Sequence, residues 1–158
     1  MNDSLDLLDR KILAALQSDG RLSNARLAEQ LGMSETPCWR RLRRLEQDGY
    51  IRGYQARLDR KRLGLGVIAF VQISLASHST NDIPAFEAAV QGIDEIVACH
   101  NIAGESDYIL EVMCADLDAY GDFVRDVLRS LPGVSAIRSS LALREVKSSG
   151  ALPIRAAR

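Results

Sequence analysis

Histidine and cysteine are scarce in this 158-residue chain, with 2 and 3 copies, and each scarcity removes a class of function. Cys38, Cys99 and Cys114 are too few and too scattered for a disulfide framework or a CxxC metal knuckle, and they read as reduced core residues. Cys99 and His100 are adjacent, but neighbours on a strand point to opposite faces, so no metal site is expected from them. His78 and His100 lack a paired nucleophile and no phosphate-cradling glycine loop occurs, which argues against an enzyme. Long apolar runs are missing too. The longest, residues 63–71 with its glycines, is far below the roughly 18 to 20 residues that a membrane span requires. Met1-Asn2-Asp3-Ser4 has neither the basic nor the apolar region of a signal peptide, so the expectation is a cytoplasmic protein without a membrane partner.

What the chain does have is divided charge. The formal net charge is −1, yet residues 1–62 carry 13 Lys/Arg against 9 Asp/Glu, and residues 63–158 carry 7 against 12. Residues 40–62 alone hold nine basic and three acidic side chains, a density that attracts phosphates. An apolar content of 47% is enough to build a core in one domain or in two small ones.

The first half reads as three short helices. Apolar positions 8, 12, 13 and 16 make an amphipathic segment with Asp6 and Asp9 near its start, where acids suit the helix dipole. Ser23 caps a second helix that buries Leu27, Ala28 and Leu31, and Gly32-Met33 turns the chain. Ser34 then begins a third helix, with Pro37 in its first turn and Cys38, Leu42 and Leu45 as the buried stripe. Arg40, Arg41, Arg43 and Arg44 crowd its other faces with no interleaved acid, which points to a polyanion rather than a quiet solvated surface. A glycine-containing turn before a cationic third helix is the helix-turn-helix pattern. Residues 50–58 alternate as a basic strand or wing, and residues 59–66, with Gly64 and Gly66, read as a charged flexible linker.

The second half has a different texture. Strands are expected over 67–75, 96–102, 107–114 and 134–146, with helices over 82–91 and 117–131. That order, βαββαβ, is the ferredoxin-like arrangement, in which both helices cover one face of the sheet. Ile68 and Phe70 make the other face partly apolar, so a second subunit is expected to cover it.

Together these features resemble the leucine-responsive/asparagine-responsive (Lrp/AsnC) family of feast-or-famine transcription regulators, over nearly the whole chain. The resemblance rests on Leu7-Leu8-Asp9-Arg10-Lys11-Ile12-Leu13, Asp19-Gly20-Arg21, Leu27-Ala28, Ser34-Glu35-Thr36-Pro37-Cys38 and Arg40-Arg41-Leu42-Arg43-Arg44-Leu45-Glu46. Gly49-Tyr50-Ile51-Arg52-Gly53-Tyr54, Cys99-His100, Gly104-Glu105-Ser106-Asp107-Tyr108 and Leu131-Pro132-Gly133-Val134 extend it. It implies an α+β chain: a winged helix-turn-helix domain over 1–58, a linker over 59–66 and a ferredoxin-like effector-binding and oligomerisation domain over 67–158.

From the resemblance follow homodimers assembling to octamers, double-stranded DNA as partner, and a small amino-acid effector in place of a cofactor. Leucine, methionine or a similar apolar amino acid is the expected effector. The expected DNA contacts are Ser34, Thr36, Trp39, Arg40, Arg43 and Arg44, with Trp39 open to a second role as half-buried support for its helix. The effector is expected in a cleft between dimers, beside Ile102, Ala103, Gly104, Glu105, Ser106, Asp107 and Tyr108 together with Ser140, Leu141 and Ala142. Asp107 would accept from its ammonium and the loop N–H groups would donate to its carboxylate. Taken alone, Gly104, Ser106 and Asp107 are also ordinary turn residues. An architectural DNA-compacting protein that senses nothing is the competing reading.

Overall fold

The computed structural model describes residues 5–76, 82–147 and 150–154, and His78 lies outside them. The described residues form two compact units: residues 5–57 with 147 and 150–154, and residues 58–76 with 82–146. Residues 147 and 150–154, expected with the second domain, group by their contacts with the first. There the Gln17 amide donates to Leu152 O and accepts from Leu152 N–H, both at 2.8 Å.

The first unit contains α1 (Leu7–Ser18), α2 (Asn24–Gln30) and α3 (Glu35–Gln47). A reciprocal capping box starts α1: Asp6 Oδ1 accepts from Asp9 N–H at 2.8 Å and Asp9 Oδ2 accepts from Asp6 N–H at 3.2 Å. Ser23 Oγ caps α2 by accepting from Arg26 N–H. Ile12, Leu16, Leu27, Ala28, Cys38 and Leu45 form one buried core, with Leu42 and Ile51 packed at its edge. Burial pushes the Cys38 thiol pKa up, in keeping with a packing role.

The wing strand expected over residues 50–58 is not formed; residues 51–59 belong to no helix or strand. An alternating segment needs a ladder partner, and none is present among the described residues. Its start is held by Ile51 N–H donating to Leu45 O at 3.2 Å and by the Tyr54 hydroxyl donating to Glu46 at 3.0 Å.

The second unit contains β1 (Val67–Leu75), α4 (Asp82–Gln91), β2 (Ile96–Asn101), β3 (Tyr108–Cys114), α5 (Leu117–Asp126), a 3-10 turn (Leu128–Ser130) and β4 (Val134–Leu141). The strands form one antiparallel sheet in the order β2-β3-β1-β4. Ala69, Val71, Ile73 and Leu75 of β1 pack with Leu110 and Val112 of β3 and with Phe86, Val90, Phe123 and Leu128 from the helical layer. Alternate residues lie on the other face, where Phe70 is 42% exposed, level with Glu111 on β3 and Ser140 on β4, whereas Ile68, expected to be bare there, is buried at 5%.

Beyond one-residue differences at β2 and β3, two expected elements are shorter than predicted. The helix expected to residue 131 ends at Asp126, and Ser130 Oγ donates to Val127 O at 2.7 Å in the tighter turn that follows. The last strand stops at Leu141 instead of 146, because its partner β1 begins at Val67 and Ala142 N–H makes the last bond, to Ile68 O.

Residues 59–66, expected as a charged flexible linker, carry hydrogen bonds made by their own side chains. Asp59 Oδ1 accepts from the Lys61 and Arg62 N–H groups at 3.0 and 3.2 Å, and Arg60 Nη1 donates to Leu65 O and Gly66 O at 2.7 and 3.1 Å. Gly66 is required for space: a Cβ there would lie 2.5 Å from Ala115 O.

Candidate nucleic-acid interface and effector loop

The candidate surface begins with how α3 is seated. Gly32, at φ +65°, makes the turn after α2, and Asn24 Nδ2 donates to Glu35 O at 3.1 Å, pinning the first residue of α3 to the first of α2. Cys38 and Leu45 face the core at 0% exposure, which turns the rest of the helix outward. Ser34 holds the N-cap position but its side chain makes no capping hydrogen bond.

Ser34, Thr36, Trp39, Arg40 and Arg43 are all exposed. Trp39 is 50% exposed and the Arg43 guanidinium lies 5.5 Å from its ring centroid, a cation–π pair at i, i+4. Arg44 is placed differently. Its Nη2 pairs with Asp9, as does Arg41 Nη1 at 2.8 Å, and Arg41 also reaches Asp6 at 2.5 Å. The bond from Asp9 N–H, followed by the pairing with Arg41, holds the Asp6 carboxyl below its ordinary pKa. The hydrogen bonds to Asp6 and Asp9 raise the pKa of Arg41. An open depression of ≈ 450 Å³ lies here, lined by Asp6, Pro37, Arg40, Arg41 and Arg44.

In the second unit, residues 102–107 join β2 to β3. Asp107 is the knot of this loop: its O accepts from Ile102 N–H and Asn101 Nδ2, its N–H donates to Ile73 O, and its Oδ2 accepts from Leu75 N–H at 2.7 Å. The carboxylate expected to face an effector therefore secures the end of β1, at a break in the β1–β4 register. Gly104 has φ +154°, a conformation that favours glycine. Glu105 projects outward and accepts from Arg138 Nη1 of β4 at 3.2 Å, while Ala103 is exposed and Ile102 and Ser106 are partly covered.

Tyr108 turns the other way. Its side chain is 3% exposed, donates to Glu87 at 2.7 Å and sits 4.7 Å from Phe86 between ring centroids. Burial, with Glu87 beside it, pushes its pKa up to about 12. It is a core residue rather than part of the loop surface.

The ten expected effector residues do not gather within one protomer. Tyr108 pairs with Ile73, whereas Ser140 pairs with Phe70, Leu141 with Ala69, and Ala142 bonds Ile68. At about 3.3 Å per residue the loop and residues 140–142 are separated by roughly 10 Å or more along the sheet. Arg138 and Asn101 are not singled out by sequence, and Asp9 is read there only as an acid suited to a helix start. Arg138 shares the face of Ser140 two residues away, a period that could have flagged it. The partners of Asn101 and Asp9 become visible only in the fold.

Among the described residues no group of three His, Cys, Asp or Glu side chains could hold a metal ion, and no helix is long and apolar enough to cross a membrane.

Two family models match. The winged helix-turn-helix DNA-binding model covers residues 5–52 and the Lrp/AsnC ligand-binding-domain model covers residues 68–152. The chain is 42% identical over 151 residues to the leucine-responsive regulatory protein of Salmonella typhimurium, covering 96% of this chain and 92% of that one. It is also 42% identical over 150 residues to the DNA-binding transcriptional activator DecR of Escherichia coli K12, covering 95% and 99%. A crystal structure of a Neisseria meningitidis transcriptional regulator in complex with L-methionine superposes with a TM-score of 0.91 at 39% identity, over 95% of this chain and 97% of that one. These relatives are regulators of transcription rather than enzymes, and the chain belongs to the Lrp/AsnC family of DNA-binding transcription regulators.

Proposed function

We propose that α3 enters the major groove, with Ser34, Thr36, Trp39, Arg40 and Arg43 as its contacts, and that an apolar amino acid controls how copies of this helix act together. The observation that carries the DNA side is the outward face of α3. Arg40 and Arg43 are exposed there, and Trp39 stiffens Arg43 from below. Arginine suits both phosphate and the guanine edge, and a symmetric dimer would present two such helices to a two-fold site.

The sheet face bearing Phe70, Ile109 and Met113 is the surface through which dimers form, and higher assembly, up to an octamer, multiplies weak half-sites through effective concentration. The effector site is completed between protomers, the 102–107 loop from one and residues 140–142 from another. The distance between those segments in a single chain favours this reading. Leucine and methionine are the preferred candidates, methionine because it occupies the Neisseria relative. A cytoplasmic location fits a regulator that meets free amino acids and DNA.

Calorimetric titration of the full-length protein with each of the twenty amino acids tests the sensor. Heat with apolar amino acids, accompanied by a change in oligomer size, is expected; no heat with any of them leaves the architectural DNA-compacting reading in its place.

A further inference from the structure

Asp9 is the one charged side chain among the described residues that is buried, at 1% exposure, and it lies beneath the recognition helix. A carboxylate held away from water needs both charge and hydrogen bonds to compensate it. Oδ1 accepts from Arg41 Nη1 at 2.8 Å, and Oδ2 accepts from Arg44 Nη2 and from Asp6 N–H. Asp6 adds a second carboxylate to Arg41.

The four arginines of α3 thus form two pairs. Arg41 and Arg44, three residues apart, point back to α1 and its two acids. Arg40 and Arg43, also three apart, carry the exposed side with Trp39, and among the described residues neither has an acidic partner. Sequence-independent affinity for DNA grows with the number of phosphates that cations neutralise, whereas discrimination comes from base edges. A helix with four unpartnered arginines would hold any duplex strongly.

We infer that Asp9 is a specificity-determining residue: it withholds Arg41 and Arg44 from DNA phosphates and orients α3 so that Trp39, Arg40 and Arg43 meet the groove. The inference rests on the reading of α3 as the recognition helix. Asp9 does not touch DNA. It acts through the two guanidinium groups it holds, and its effect is to lower binding to random sequence more than binding to an operator.

The experiment is the dependence of binding on salt, measured for the full-length protein on a random-sequence duplex and on a duplex selected for tight binding. Asp9→Asn keeps the shape of the side chain and removes its charge. Releasing one or both arginines should steepen the slope of log K against log salt by about one to two units and lower the ratio of selected to random affinity. Arg44→Gln, which leaves Asp9 paired with Arg41, should keep the wild-type slope. Arg40→Gln should make the slope shallower by about 0.9.

An Arg44→Gln slope shallower by about 0.9 would mean that Arg44 contacts phosphate in the native complex, and it overturns the inference whatever the fate of Asp9→Asn. A folded Asp9→Asn protein with an unchanged slope overturns it as well. An Arg40→Gln slope equal to wild type instead overturns the recognition-helix reading, a failure separable from that of Asp9.

Discussion

Asp107 Oδ2 accepts the Leu75 N–H at 2.7 Å, tying the hairpin between β2 and β3 to the last residue of β1. This one bond places a carboxylate within the loop expected to bind an effector and employs it in the fold, so its two roles must be separated by experiment. Asp107→Ala should lower stability by about 1.5–3 kcal/mol, the range for a hydrogen bond to a charged group, as read from urea unfolding. Asp107→Asn keeps an acceptor for Leu75 N–H and should stay within about 1 kcal/mol of wild type. If the charge also receives the effector ammonium, Asp107→Asn will weaken amino-acid binding while basal DNA binding persists. An unchanged effector titration would make Asp107 purely structural.

A site divided between protomers predicts complementation. Gly104→Val disrupts the loop, since φ +154° is unfavourable to a β-branched residue, and Ser140→Trp fills the space at β4. Each variant alone should lose effector binding. Oligomers reassembled from an equal mixture should recover part of it, wherever an intact loop meets an intact strand. Calorimetry on the mixture showing no recovered heat would contradict a site divided between protomers.

Tyr108 makes the second unit sensitive to alkali. Its pKa is raised to about 12 in the folded protein from 10.0, chiefly by burial and then by Glu87. The neutral phenol is thus favoured by folding: its contribution is complete below about pH 10 and is lost as pH rises through about 12. Unfolding free energy should fall over that window, and the fall should be smaller in Tyr108→Phe. Equal slopes in the two proteins would show that the phenol does not govern alkaline stability.

Gly66 carries a steric prediction. Gly66→Ala puts a methyl 2.5 Å from the Ala115 carbonyl, a backbone atom that cannot swing aside, and should cost about 1–3 kcal/mol in denaturant titration. Gly121→Ala, within α5, with ordinary helical φ and nothing within 4 Å of the added methyl, should cost less. The reverse order would mean that the 59–66 turn yields easily.

Local pattern made much of this fold readable. The alternation over residues 67–75 and the apolar spacing over residues 82–91 predicted β1 and α4 with their observed ends, because each buries one periodic face. What escaped depends on partners distant in sequence. The apolar stripe runs on through Val127, Leu128 and Leu131, so periodicity alone cannot see that α5 yields to a tighter turn after Asp126. The end of β4 is decided by where β1 begins. Asp9 reads in sequence as an acid suited to a helix start, and its engagement with Arg41 and Arg44 needs the packing of α1 on α3. Residues 50–58 alternate convincingly yet form no ladder, since alternation states a preference and a neighbouring strand must satisfy it. For the effector residues, alternation along the third strand already sets Tyr108 on the face of Leu110, Val112 and Cys114, and turn composition locates the loop, but neither reveals that Ser140 lies toward the other end of the sheet.

The central claim is that the outward side of α3 meets DNA, and the most direct measurement is electrophoretic retardation of a selected duplex by the Arg40→Glu/Arg43→Glu protein, with its size checked by chromatography. Both side chains are exposed and outside the Asp9 network, so oligomer size and thermal stability should match wild type. Retardation should be lost, with affinity lowered at least a hundredfold, on the order of the phosphate and base contacts removed. A protein of unchanged size that retards the duplex as well as wild type does would contradict the account.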